Sequence, residues 1–149
     1  MALEPGSPVP DIIADNQWGE RVRPDFATPT VVYFYPDDTP GCTTEANQFE
    51  ERYEQYERYS VSVYGISVDD VESHCEFARA QDLSFDLLSD PDGNVADAFG
   101  VDMVEGRTRR TTFVIARQQV LGLYEGVRPD GHAADVLRAL GEAGLLRAG

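Results

Sequence analysis

The feature that most constrains this chain is its alternation of short β-branched and aromatic runs with segments of helical period. Val31-Val32-Tyr33-Phe34-Tyr35 is apolar or aromatic at every position and stops at Pro36, the pattern of a strand covered on both faces. A turn through Asp37-Asp38-Thr39-Pro40-Gly41 follows. From Cys42 the spacing predicts a helix, because Ala46, Phe49, Tyr53 and Tyr56 recur on one face while Glu45, Glu50, Glu51 and Glu54 take the remaining faces. Residues 61–66 alternate as a strand, and residues 67–70 supply cap chemistry for a helix in which Val71, Cys75 and Phe77-Ala78 fall close to one side. Residues 85–88 read as a strand closed by Ser89-Asp90-Pro91-Asp92-Gly93, with a short helix through Val95, Ala98 and Phe99. Residues 111–115 and 120–124 read as an antiparallel pair, and Ala133, Val136, Leu137, Leu140 and Leu145 as a closing helix. Ahead of these, Ile12-Ile13, a polar turn at residues 15–19 and Val22 predict a short hairpin.

Strands alternating with helices, then a hairpin and a last helix, describe an α/β fold of thioredoxin-like order, a central mixed sheet flanked by helices. No repeat, low-complexity tract or Pro/Gly-rich linker divides the chain. At 149 residues with 42% apolar and 10% aromatic side chains it has the material for one core, so a single domain over 1–149 is expected. No apolar run approaches the roughly 18 residues of a membrane span, and the opening MALEPGSPVP has neither a charged nor an apolar leader segment, so a soluble, cytoplasmic protein with no membrane partner is expected.

The charge is one-sided: 27 acidic residues stand against 12 basic ones, all of them Arg, for a formal net charge of −15. That balance argues against nucleic acid, since phosphate contacts need clustered cations and the only short cluster is Arg107, Arg109 and Arg110. The carboxylates are spread along the chain rather than gathered into a tail. With no Lys, this is the composition of a halophilic protein, whose self-repulsion is screened where the Debye length is about 3 Å, at 1 M salt.

Two cysteines, Cys42 and Cys75, are too few for a secreted disulfide scaffold or a four-ligand zinc site, and there is no C-x-x-C pair, which disfavours a thiol–disulfide oxidoreductase. They are either inert core thiols or redox groups. Cys42 follows a strand, a Pro-bearing turn and a Gly, and opens a helix, where backbone N–H groups and the positive end of the helix dipole favour thiolate. A free thiol pKa of about 8.5 falls to roughly 3.5–7.5 in such places. Thr39 brings a hydroxyl to the same turn. Other groupings are weaker. His74, His132 and the cysteines lack metal-site spacing, and Asp90-Pro91-Asp92-Gly93-Asn94 has Val95 and Val101 where a calcium loop needs Gly and Glu. Trp18, Tyr53, Tyr56 and Tyr59 are read as packing residues.

The run Tyr33-Phe34-Tyr35-Pro36-Asp37-Asp38-Thr39-Pro40-Gly41-Cys42-Thr43-Thr44-Glu45-Ala46 resembles the active-site segment of peroxiredoxins of the bacterioferritin-comigratory, or Q, type. The likeness continues through Gly65-Ile66-Ser67, Leu87-Leu88-Ser89-Asp90-Pro91-Asp92-Gly93 and Arg110-Thr111-Thr112-Phe113-Val114-Ile115, and so spans nearly the whole chain. The resemblance implies reduction of hydrogen peroxide and organic hydroperoxides with no metal or organic cofactor, recycling by a thioredoxin-like reductant, and a monomer or weak dimer. It also implies roles: Cys42 as peroxidatic cysteine, Thr39 as the hydroxyl orienting peroxide, Arg110 as the cation favouring thiolate, and Pro36 as the shield of the site. Without it, Arg110 reads as a solvated charge beside Arg107 and Arg109.

Two departures from the family's pattern stand out. Only Asp37 and Asp38 separate Pro36 from Thr39, where three residues are usual. Many members carry a resolving cysteine five residues after the first, where this chain has Asn47; Cys75, in the next helix, matches the place another subgroup uses. A sulfenic acid returns to the reduced state through a second thiol, and Cys75 is the internal candidate. A disulfide needs Cα atoms within about 7 Å, so local unwinding of the first helix is expected. The alternatives are a one-cysteine peroxidase resolved by an external thiol, and a slow redox-sensing or interaction protein.

Overall fold

The computed structural model describes residues 2–36, 40–128, 131–142 and 144, without the side chains of residues 40–42. The elements in chain order are β1 (Ala14–Asp15), β2 (Arg21–Val22), β3 (Thr30–Phe34), α1 (Pro40–Glu51), α2 (Tyr53–Arg58), β4 (Ser62–Ser67), α3 (Val71–Gln81), β5 (Asp86–Ser89), α4 (Asn94–Phe99), β6 (Met103–Val104), β7 (Arg107–Thr108), β8 (Thr111–Ala116), β9 (Gln119–Glu125) and α5 (His132–Glu142). Seven strands form one mixed sheet in the order β2-β1-β5-β4-β3-β8-β9. β3, β4 and β5 run parallel through its centre, while β8 pairs antiparallel with β3 and closes a hairpin with β9. The expected central mixed sheet flanked by helices is therefore what forms.

β3 is buried along its whole length because both of its faces are covered. Val31, Tyr33 and Tyr35 join a core cluster with Ala46 and Phe49 of α1, Tyr56 of α2, Phe77 and Ala78 of α3, and Ala133, Val136 and Leu140 of α5. Val32 and Phe34 join a second cluster with Val95, Ala96 and Phe99 of α4 and Phe113 and Ile115 of β8. The period-2 alternation of a strand thus feeds two cores at once. Tyr33 stacks on Phe49 with ring centroids 4.7 Å apart, and burying Phe49 contributes about 1.5–3 kcal/mol. Gly65, in β4, is required by this crowding: a Cβ there would lie 2.8 Å from the Tyr33 ring and 2.9 Å from Leu87.

Four local expectations are corrected. The helix predicted to run from Cys42 through Tyr56 starts at Pro40 and breaks at Arg52, giving α1 and α2. In α4 the buried alanine is Ala96 rather than Ala98, and in α3 the buried centre is His74 with Phe77 and Ala78, leaving Cys75 half-buried. Trp18 is half exposed, with the Arg79 guanidinium 5.7 Å from its ring, rather than packed in the core. A small antiparallel pair, β6–β7, was not anticipated at all. Its two-residue turn, Glu105-Gly106, takes positive φ at both positions, the geometry that matches the twist of the flanking strands. Leu145 of the expected last helix lies outside the described residues.

Candidate active site

β3 and β4 are adjacent and parallel, and each leads into a helix, so both helix N-termini rise at the same edge of the sheet. Cys42 stands eight residues past the end of β3, and Cys75 eight residues past the end of β4. The topology therefore brings the two cysteine-bearing helices side by side, and α1 and α3 pack against each other.

Where β3 ends, the backbone is gripped from both sides: the Tyr35 N–H donates to the Ile66 carbonyl at 3.1 Å, and the Thr108 hydroxyl donates to the Tyr35 carbonyl at 2.7 Å. The unforeseen β6–β7 pair thus braces the exit of the central strand. Pro36, half-buried, comes next and has no N–H with which to prolong the ladder. Thr39 lies outside the described residues. α1 opens with Pro40 at its first position, where a missing N–H costs nothing. Cys42 is its third residue, inside the first turn, where backbone N–H groups lack intrahelical partners and the helix dipole is positive. Its side chain is beyond what can be described.

Arg110 immediately precedes β8. Thr111 stands opposite Phe34, so the antiparallel pairing delivers Arg110 to the end of the sheet where Pro36 leaves it. Its Nη1 donates to Glu45 Oε1 at 2.9 Å, with the Arg110 side chain 18% exposed and that of Glu45 1%. The reading of Arg110 as a solvated surface charge does not hold. Glu45 lies three residues after Cys42 on the same helix, so this ion pair puts a guanidinium on α1 one turn beyond Cys42.

Glu45 is the site residue that sequence reasoning missed, having been assigned to a solvated face. Burial raises its carboxyl from an ordinary 4.5 to about 7, against the downward pull of the charge and hydrogen bond of Arg110. Among the described residues its Oε2 has no hydrogen-bond partner, consistent with a carboxyl half-paired in a dry setting. The signal was present in the spacing: Glu45 is three residues from Cys42 and four from Phe49, and so sits inside the apolar stripe rather than outside it.

On α3, Asp70 caps the helix, its Oδ1 accepting from the Ser73 N–H at 2.8 Å. Cys75 is a free thiol in the second turn. The Asp90 turn is a capping device: its carboxylate accepts from the N–H groups of Val95 and Ala96, both at 3.0 Å. Among the described residues, no group of three or more His, Cys, Asp or Glu side chains is placed to hold a metal ion, and no helix is long and apolar enough to cross a membrane.

Comparison with known proteins agrees with this layout. Residues 5–123 match the AhpC/TSA family. A peroxiredoxin bcp of Coxiella burnetii is 36% identical over 151 residues, covering 94% of this chain and all of that one. The crystal structure of peroxidoxin BcpB from Mycobacterium tuberculosis superposes with a TM-score of 0.87 at 34% identity, covering 94% of this chain and 97% of that chain. A bacterioferritin comigratory protein of Xanthomonas campestris, whose structure was studied for alkyl peroxide reduction, gives 0.84 at 31%, covering 97% and 99%. With a family match over most of its length and relatives of one kind along nearly all of it, the chain belongs to the AhpC/TSA family and is a peroxiredoxin of the bacterioferritin-comigratory, or Q, type, a thiol-dependent peroxidase that reduces hydroperoxides.

Proposed function

We propose that Cys42 is the peroxidatic thiol and Cys75 the resolving one. The Cys42 thiolate attacks the terminal oxygen of a hydroperoxide; the O–O bond breaks, the sulfur gains the hydroxyl as sulfenic acid, and the alkoxide or hydroxide leaves after taking a proton. Cys75 then attacks the Cys42 sulfur, expelling water and forming a disulfide, which a thioredoxin-like dithiol reduces by exchange. Arg110 stabilises the thiolate and the charge developing on the peroxide oxygens, Thr39 orients the peroxide, and Pro36 screens the sulfur from water. The observation that carries this reading is the Arg110–Glu45 ion pair one helical turn from Cys42. The parallel placement of Cys42 and Cys75 in adjacent strand–helix units supports the second step. The acidic, Lys-free composition supports a salt-rich cytoplasmic setting for an enzyme working as a monomer or weak dimer.

Cys42→Ser tests the first assignment: peroxide consumption is expected to be abolished with the fold intact, and retained turnover would overturn it. For the second, one equivalent of peroxide is expected to remove two hydrogens from the intact mass and to yield a peptide joining Cys42 to Cys75.

A further inference from the structure

The chain has a single tryptophan, and it stands on a turn that holds it out of the core. Trp18 lies between β1 and β2 and is 49% exposed. The residue before it is pinned. Gln17, buried, serves β5 as a further length of backbone: its Nε2 donates to the Phe85 carbonyl at 3.1 Å and its Oε1 accepts from the Leu87 N–H at 2.9 Å. Asn16 closes the turn, its Oδ1 accepting from the N–H groups of Trp18 and Glu20, both at 3.0 Å. An indole on so anchored a turn keeps much of its apolar surface in water. The ring meets α3 at Arg79, whose guanidinium lies 5.7 Å from the ring centre. Arg79 is one turn beyond Cys75 and Glu72 one turn before it, neighbours of the thiol at about 5–6 Å along one flank of the helix. Glu72, Glu76 and Arg79 are exposed, His74, Phe77 and Ala78 are turned inward, and half-buried Cys75 stands at the border.

The thioredoxin-like protein that recycles a peroxiredoxin has to bring a thiolate onto one sulfur of the oxidised pair. Attack on Cys75 expels Cys42, whose place in the first turn of α1 favours thiolate, and the thiol of lower pKa leaves faster. The reductant's sulfur bonds to Cys75 as the Cys42–Cys75 bond breaks; its second thiol then displaces Cys75, and the reductant departs as a disulfide. We infer that the Trp18–Arg79 surface beside Cys75 is where this reductant docks. Trp and Arg are the residue types that carry most of the affinity in interfaces. Charge sets the partner's chemistry: Glu72 and Glu76 on α3 and Glu20 on the hairpin rim the surface, which complements a dithiol protein that offers the indole an apolar contact and surrounds it with cations. The inference deepens the proposed resolving role of Cys75 and rests on it.

Because Trp18 is the only tryptophan, enzyme labelled with 5-fluorotryptophan gives one fluorine resonance, which reads the surface directly. The probe is a thioredoxin that recycles the wild-type enzyme, unlabelled and with its second dithiol cysteine replaced by serine, so that the mixed disulfide is trapped. Peptide mapping is expected to locate the trapped bond on Cys75, and the resonance to shift in that complex but not when glutathione occupies Cys75. Trapping on Cys42 alone, no shift, or the same shift with glutathione overturns the inference. In steady-state turnover, Trp18→Ala and Arg79→Glu are each expected to raise KM for thioredoxin about tenfold with kcat held. Turnover driven by dithiothreitol should be unchanged, since a small dithiol needs no docking surface. Leu121→Ala is the control: it is 41% exposed on β9, at the opposite edge of the sheet from the Trp18 hairpin, and should leave KM alone. Unchanged KM in both variants, an equal loss with dithiothreitol, or an equal rise in Leu121→Ala overturns the role. Glu72→Arg combined with Glu76→Arg reads the partner's charge: KM is expected to rise at about 0.1 M KCl and to rise less at about 2 M, where charges are screened. A fall in KM would mean an acidic partner and overturns the complementarity. Absence of any Cys42–Cys75 disulfide in the wild type after one equivalent of peroxide would instead remove the Cys75 assignment, and this inference with it.

Discussion

The two cysteine-bearing helices occupy the same place in two adjacent strand–helix units, and their N-termini are built in opposite ways. α3 opens on an Asp70 side-chain cap and drives His74 into the core within its first turns, so Cys75 stands beside an anchor. α1 opens on Pro40, and its described contacts include Glu45 to Arg110, Gln48 accepting from the Gly131 N–H at 2.6 Å, and Glu50 accepting from the N–H and hydroxyl of Ser84 at 2.6 and 2.7 Å. The same topology thus supplies two cysteines, one next to a histidine bonded into the core and one ahead of the described contacts of its helix.

The largest expected effect that sharpens this comparison is the contrast between the cysteines themselves. Cys75→Ser should still consume one equivalent of peroxide, then stall as sulfenic or over-oxidised Cys42 and lose recycling by thioredoxin, whereas Cys42→Ser loses even the first equivalent. Intact mass after substoichiometric peroxide distinguishes them. Full thioredoxin-dependent turnover by Cys75→Ser would leave a one-cysteine enzyme. The next effect in size belongs to Arg110. Arg110→Ala removes the cation paired with Glu45 one turn beyond Cys42, so the peroxide step should slow by about 10²-fold, the usual effect of deleting one preorganised charge-stabilising donor. Thiolate formation should also move to higher pH, as read from the thiolate absorbance. An unchanged rate and titration would confine Arg110 to holding α1 in place.

These elements were not equally legible. β3 could be read because burial on both faces leaves no polar position in the run, and the α3 cap because Asp is a residue type that caps. The break at Arg52 could not, since Tyr53 and Tyr56 keep the helical period across it and Arg52 offers no capping side chain. β6 and β7 are two residues each, too short to show alternation, so only Glu105-Gly106 marked their turn. The site divides in the same way. Cys42 was singled out by its place at a helix start, and Arg110 only by resemblance, which reads residue identity within a motif. Glu45 owes its importance to a partner 65 residues away, and among several glutamates on one helix nothing local distinguishes it except its position in the apolar stripe. His74 was read only as a failed metal ligand, because a buried histidine and a surface one look alike until the strands it bonds to are known.

The smallest effect concerns the first tether of α1. In the folded protein the Glu45 carboxyl titrates near 7 against an ordinary 4.5, so between those values the folded state holds a proton that the unfolded chain has released. Its stabilising contribution is complete below 4.5 and is lost as pH rises through 7. His132 acts in the opposite sense. Burial lowers it from 6.5 to about 4, so the unfolded chain binds the extra proton and stability rises with pH across that window. The two slopes offset each other in the wild type, and a pH profile of stability alone would show neither. Glu45→Gln separates them, because the amide oxygen still accepts from Arg110 and the His132 contribution cancels in the difference. Denaturant unfolding from pH 5 to 8 should therefore show the variant gaining on the wild type as pH rises through 7, with a total change of at most a few kcal/mol, at about 1.4 kcal/mol per unit of pKa displacement. A difference in stability that stays flat across pH 7 would mean that Glu45 is already ionised in the fold, and that Arg110 anchors α1 as a full ion pair throughout the working range.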